Sequence, residues 1–158
     1  MAHREHHYQV NVTWTGNQGS GTASYKSYQR DYDISAGKKR PISGSSDPAF
    51  LGDATRWNPE ELLVASVSAC HKLWYLHLCA EAGICVYSYL DRAEGTMTEG
   101  EKGCFTGITL RPEITIRSGD DLALADQLHH RAHELCFIAN SLNFPVLCEP
   151  VIVHDTMS

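Results

Sequence analysis

The sequence predicts an α+β fold, and three observations carry that expectation. Residues 8–15, "YQVNVTWT", alternate Tyr8, Val10, Val12 and Trp14 against polar neighbours, the period of two that marks a strand with one buried face. Residues 58–83 form a long apolar run that opens on Asn-Pro-Glu-Glu and ends at Gly83, and residues 119–145 hold a second stretch of helical spacing. The strands cluster between the helices as hairpins instead of alternating singly with them. The order is therefore βββ-α-ββ-α-β with antiparallel pairing.

Each element has its own local reason. After the first strand, "GNQGSG" reads as a turn, and "TASYKSYQRDYDI" (22–34), rich in Thr, Ser and Tyr, is expected to return antiparallel. The Gly, Ser and Pro-rich stretch 43–57 is the one long loop and a candidate site wall. Asn58 is placed to cap the first helix, Pro59 suits its first position, and Glu60 and Glu61 suit the positive end of its dipole. Strands are expected at 84–91 and 105–117, and "VLCEPVIVH" reads as a last one. A single domain of 158 residues results: N-terminal strands and loop (1–57), first helix (58–83), strands (84–118), second helix (119–145), final strand and tail (146–158).

Charge and composition narrow the function. The acidic balance, 19 Asp plus Glu against 13 Lys plus Arg, offers no basic stripe for nucleic acid and no polybasic anchor for a membrane. Residues 62–80 approach the length of a membrane span but contain His71, Lys72 and His77, and a charge at the bilayer centre costs roughly 2.5–3.5 kcal/mol. A buried core helix is the better reading. The opening "MAHREHHYQV" lacks a secretory apolar run, and six cysteines of irregular spacing within apolar segments fit a reducing compartment, so a cytoplasmic location is expected.

Cys70 sits in the middle of the first helix, and Cys79, nine residues on, points the opposite way. The second helical stretch holds Cys136. One thiol on each of two packed helices can close a disulfide if their Cα atoms approach within roughly 7 Å. A buried cysteine is also an ordinary small core residue, the reading kept for Cys79, Cys85, Cys104 and Cys148. His71 points about 100° away from Cys70 and is expected to be a packed or interface residue.

"NPEELLVASVSACH", followed far downstream by "AHELCFIAN", resembles the OsmC/Ohr family of thiol-dependent hydroperoxide reductases, and the order of elements agrees along nearly the whole chain. The resemblance implies a peroxidatic Cys70, a resolving Cys136, an entwined homodimer and an organic hydroperoxide substrate. It also implies an external dithiol reductant of lipoyl or thioredoxin type, and no cofactor. A thiol three turns into a helix gains little from the macrodipole, so the chemistry needs a nearby cation. The family uses an arginine held by the helix-start glutamate, which Glu60 matches. In much of the family that arginine lies in the turn after the first strand, where this chain has Asn17 and Gln18, leaving Arg30 and Arg56 as candidates with Arg30 preferred. Alternatively, Arg30 simply pairs with Asp31 or Asp33. Glu60 and Cys70 stand roughly 15 Å apart along a straight helix, so the partner subunit is expected to supply Glu60 and the arginine.

Trp74, one turn beyond Cys70, with Phe50, Trp57 and Phe137, is the candidate apolar substrate pocket. A competing constellation is zinc on His129, His133 and Cys136, at i, i+4 and i+7, with His71 or Cys70 as fourth ligand. A non-enzymatic redox sensor, or a small-molecule or metal-binding protein on the same fold, is the alternative to an enzyme.

Overall fold

The computed structural model describes residues 3–156, in two compact units that meet in the chain between Leu62 and Leu63. The first unit is a three-stranded antiparallel sheet, β1 (Asn11–Trp14), β2 (Tyr32–Ser35) and β3 (Ile42–Gly44), in that spatial order. Val12 pairs with Ile34, and Ile34 with Ile42. The expected strand over 22–34 is confined to its last residues. Upstream, side chains capture the backbone: Asn17 Oδ1 accepts the N–H groups of Gly19 and Gly21, and Ser27 Oγ bonds the Ser24 N–H and the Gly21 carbonyl. Such local bonds offer the chain turns in place of a ladder. The expected buried face of the first strand is also bare, with Tyr8, Val10, Val12 and Trp14 all exposed.

The loop after β3 closes on itself. A 3-10 turn, Pro48–Phe50, is capped by Asp47, and Ser45 and Trp57 meet through backbone bonds that return the chain to β3. Helix α1 (Pro59–Ala82) then starts where the sequence predicts. Asn58 Oδ1 accepts the Glu61 N–H at 2.8 Å while a Glu61 side-chain oxygen accepts the Asn58 N–H at 3.1 Å, a reciprocal capping box. Gly83, at φ +78, ends the helix in the left-handed region that other residues avoid.

The second unit holds β4 (Val86–Asp91), β5 (Glu94–Thr98), β6 (Cys104–Leu110), β7 (Pro112–Ile116), α2 (Leu122–Leu135), β8 (Val146–Cys148) and β9 (Val151–His154). These strands form two sheets of three, β4-β7-β9 and β5-β6-β8. The expected strand at 105–117 and the last strand are each cut in two, and a further strand, β5, lies between the strands expected at 84–91 and 105–117. The breaks lie at one level. Pro112 and Pro150 have no N–H to donate to a ladder, and the Arg111 N–H is taken by the Asp91 side chain at 2.7 Å. A run of strand-like residues is thereby divided between two sheets.

Two apolar clusters fill this unit. α1 contributes Val67, His71, Tyr75 and Cys79, spaced by four along one buried stripe. Tyr75 and Cys79 pack with Ile114, Ile116, Ala125 and Ala132, whereas Val67 packs with Ile108, Leu110 and Val146. α1 is the one helix among the described residues that is long and apolar enough to cross a membrane by length and composition. α2 stops well short of residue 145. Cys136 turns to extended backbone as its C-cap, Asn140 Nδ2 reaches back to the Glu134 carbonyl at 3.0 Å, and a 3-10 turn, Ala139–Ser141, follows.

Candidate functional site

At the start of α1 the two glutamates have different employment. Glu61 is committed to the capping box. Glu60 has a buried carboxylate oxygen without a hydrogen-bond partner, and its charge adds to burial in pushing Tyr32 above the ordinary tyrosine range. Buried carboxylate oxygens are ordinarily hydrogen-bonded or paired, so Glu60 has unused capacity for a cation.

The two candidate arginines lie in the same unit and are held differently. Arg56 donates to the carbonyls of Gly44 and Tyr32 and to Asp33 Oδ1 at 3.0 Å, with Asp31 at 3.8 Å. The aspartates weighed as partners of Arg30 therefore serve Arg56. Arg30 instead lies over the rings of Tyr25 and Tyr28, 4.6 and 3.9 Å from their centroids, and donates to the carbonyls of the same two residues. A guanidinium has five N–H donors in a planar fork, so this clamp leaves some of them unspent. Phe50 and Trp57 belong to this unit and both remain exposed.

In the second unit the two predicted thiols meet. Cys70 is half-buried on α1, and Cys136 is fully buried at the end of α2. Burial and then the hydrogen bond with Cys70 push the Cys136 thiol up to about 11, opposed by the Ala139 N–H that points at its sulfur. At neutral pH the Cys136 thiol is thus protonated. Neither sulfur is joined in a disulfide in this structure. Beside it, the rings of Trp74 and Phe137 are 5.6 Å apart and tilted at 57°. Phe137 is 68% exposed, an apolar ring held open to solvent one residue after the buried thiol.

The zinc set His129, His133 and Cys136 is not assembled. α2 ends before Cys136, whose thiol goes to Cys70, and His133 lies on the exposed face of the helix. A different group forms instead: His71 on α1, His129 on α2 and Cys148 on β8. His71 Nε2 and His129 Nδ1 are 3.0 Å apart, and Cys148 Sγ lies 3.8 Å from each. Burial, then the neighbouring His133, lowers His71 to about 4, and burial, then His71, lowers His129 to about 3. Both rings are neutral at pH 7. Tyr75 stacks on His129 with centroids 3.8 Å apart and donates its hydroxyl to the Ala125 carbonyl. His129 Nε2 is buried without a partner, a condition that ordinarily costs about 1–3 kcal/mol. The stripe Val67, His71, Tyr75, Cys79 was the available signal for an inward His71. His129 shares a buried face with Ala125 and Ala132, but nothing local to Cys148 announces its place.

A family model for OsmC-like proteins matches residues 52–150, a span that contains Glu60 and both Cys70 and Cys136. The chain belongs to the OsmC-like family. An OsmC-like protein of unknown function from Vibrio cholerae is 30% identical, with a TM-score of 0.84 over 93% of this chain and 100% of its own. The uncharacterized protein YmaD of Bacillus subtilis is 26% identical over 145 residues, 87% of each chain. An organic hydroperoxide resistance protein OsmC from Legionella pneumophila shares the fold at 19% identity and a TM-score of 0.62, over 94% of this chain and 98% of its own. The α+β architecture expected from the sequence is thus the OsmC-like fold.

Proposed function

We propose that this OsmC-like chain is a thiol peroxidase that reduces organic hydroperoxides to alcohols, acting as one OsmC-like domain in a cytoplasmic entwined homodimer. The observation that carries the reading is the contact between a half-buried Cys70 and a buried, protonated Cys136. The Cys70 thiolate attacks the terminal oxygen of the peroxide, the O–O bond breaks, and the alkoxide takes a proton and leaves as alcohol. Cys70 is then a sulfenic acid. The Cys136 sulfur displaces its hydroxyl as water, forming a disulfide. An external dithiol of lipoyl or thioredoxin type returns both sulfurs to thiols by exchange.

The apolar rings favour an organic peroxide over hydrogen peroxide. Trp74 and Phe137 stand beside the thiols. Apolar area removed from water contributes about 25 cal/mol per Å². A second copy supplies both the activating cation, Arg30, and the Glu60 that orients it. The unpartnered Glu60 oxygen and the bare row Tyr8, Val10, Val12 and Trp14 support a partner subunit. The resemblance of the fold to the Legionella pneumophila protein supports the substrate class.

The test is stoichiometric. Reduced protein titrated with cumene hydroperoxide is expected to consume one equivalent, form a Cys70–Cys136 disulfide by peptide mapping, and turn over repeatedly with excess dihydrolipoamide. A disulfide formed without turnover would make the chain a redox sensor, and no disulfide would refute the thiol pair.

A further inference from the structure

The group His71, His129 and Cys148 has no task in peroxide reduction by Cys70 and Cys136. It is drawn from three elements, α1, α2 and β8, and all three donor atoms lie within 4.8 Å of one another. Two imidazole nitrogens and one sulfur are a soft, compact donor set, suited to copper or zinc and unsuited to magnesium or calcium.

From these contacts we infer that the OsmC-like chain carries a second site, a buried His2Cys centre that binds a single cuprous ion through His71 Nε2, His129 Nδ1 and Cys148 Sγ. The triangle of donor atoms has sides of 3.0, 3.8 and 3.8 Å. A point in its plane lies about 2.1 Å from all three corners, against ordinary metal–nitrogen and metal–sulfur distances of about 2.0–2.1 and 2.3 Å for an ion of this size. Among the described residues the group has no fourth His, Cys, Asp or Glu ligand. Zinc prefers four ligands in a tetrahedron. Three donors around an in-plane point suit monovalent copper, and one thiolate cancels its charge, so the filled centre is neutral where a divalent ion would leave a buried net charge.

Binding has a defined balance. The histidine rings now lie within 3° of coplanar and meet end to end through a shared N–H. The ion takes the place of that proton, which moves to the outer nitrogen of its own ring, and the rings turn so that both lone pairs converge. Cys148 releases its thiol proton to solvent, so one proton leaves for each ion bound and no electron is transferred. Tyr75, stacked on His129, fixes one ligand ring. His129 Nε2 has no hydrogen-bond partner in the metal-free protein. Cys148 retains the residual exposure within the group, which makes its side the entry route.

The experiment uses the full chain with Cys70→Ser and Cys136→Ser, so that the peroxidase thiols cannot hold the ion. Cuprous ion is added anaerobically in competition with bicinchoninate, at a chelator excess that strips exposed histidines and single thiols. One equivalent is expected to remain bound, with an X-ray absorption first shell of two nitrogens and one sulfur. Adding Cys148→Ser should weaken binding at least 100-fold, and His129→Gln at least tenfold. Complete loss of copper to the chelator, a sulfur-only shell, or affinity unchanged by Cys148→Ser would each overturn the site. If Cys148→Ser fails to fold, the ligand shell of the parent protein decides alone. The parent retains Cys148 in any case, so failure of this site leaves the peroxidase reading untouched, and the reverse also holds.

Discussion

Cys136 offers a quantitative handle on the thiol pair. Its thiol is pushed from the ordinary 9.0 up to about 11, with burial the largest cause and the Cys70 bond a smaller one. At pH 8 that leaves about one hundredth of the thiolate an ordinary cysteine has. Alkylation proceeds through thiolate, so Cys136 should react with iodoacetamide about 100-fold more slowly than an accessible thiol, before any loss of access is counted. Limited access scales the whole rate curve, whereas a raised pKa changes its shape. The assay is therefore a pH series, with each cysteine's modification followed by peptide mass spectrometry and the exposed Cys104 as internal reference. The Cys136 rate should rise about tenfold per pH unit from 8 to 10 without levelling. In Cys70→Ser protein the curve should shift to lower pH yet still rise beyond 9, because burial persists. A plateau beginning at pH 9 in the unaltered protein, or a Cys70→Ser curve identical to that of Cys104, would refute the argument.

Cys70→Ser is expected to abolish peroxide consumption, while Cys136→Ser should consume one equivalent and leave a sulfenic acid trapped by dimedone. Arg30→Ala should slow Cys70 alkylation at pH 7 with recovery at high pH, and mixing it with Cys70→Ser protein should restore part of the activity through heterodimers. No recovery after verified subunit exchange would exclude a shared site. Arg56→Ala removes bonds to two carbonyls and two carboxylates and should lower stability by about 1–3 kcal/mol in denaturant titration. Asn58→Ala breaks the capping box and should cost about 1 kcal/mol in the same assay.

What the sequence made legible was what adjacent residues decide among themselves. Asn58, Pro59 and Glu61 start α1, and Gly83 stops it, through bonds that span a few positions. The meeting of Cys70 and Cys136 was legible because a resemblance supplied it, not because spacing did. Features set by distant partners were not. Whether 104–116 is one strand or two depends on Pro112 and on Asp91 reaching the Arg111 N–H from another strand. The apolar spacing and Pro145 suggest a second helix that runs up to that proline, while Asn140 caps the Glu134 carbonyl instead. His71 and Cys148 are 77 residues apart, and no local pattern joins them. The apolar row Tyr8, Val10, Val12 and Trp14 was read correctly as apolar, yet its burial is absent from a single chain.

The last strands also bear on how the protein matures. β8 and β9, only residues 146–154, lie parallel to β6 and β7 and supply the third strand of both sheets. During synthesis neither sheet can be completed until this segment has left the ribosome, so β6 and β7 wait with a free edge while α2 is being made. Long-range parallel pairing is slow to form and leaves edges open to other chains in the interval. A nascent chain stalled after Pro145 is expected to be protease-sensitive and prone to aggregate, and release of residues 146–154 should convert it to a resistant form in one step. Commitment to the native state is thus deferred until the segment that carries β8 and β9 is available.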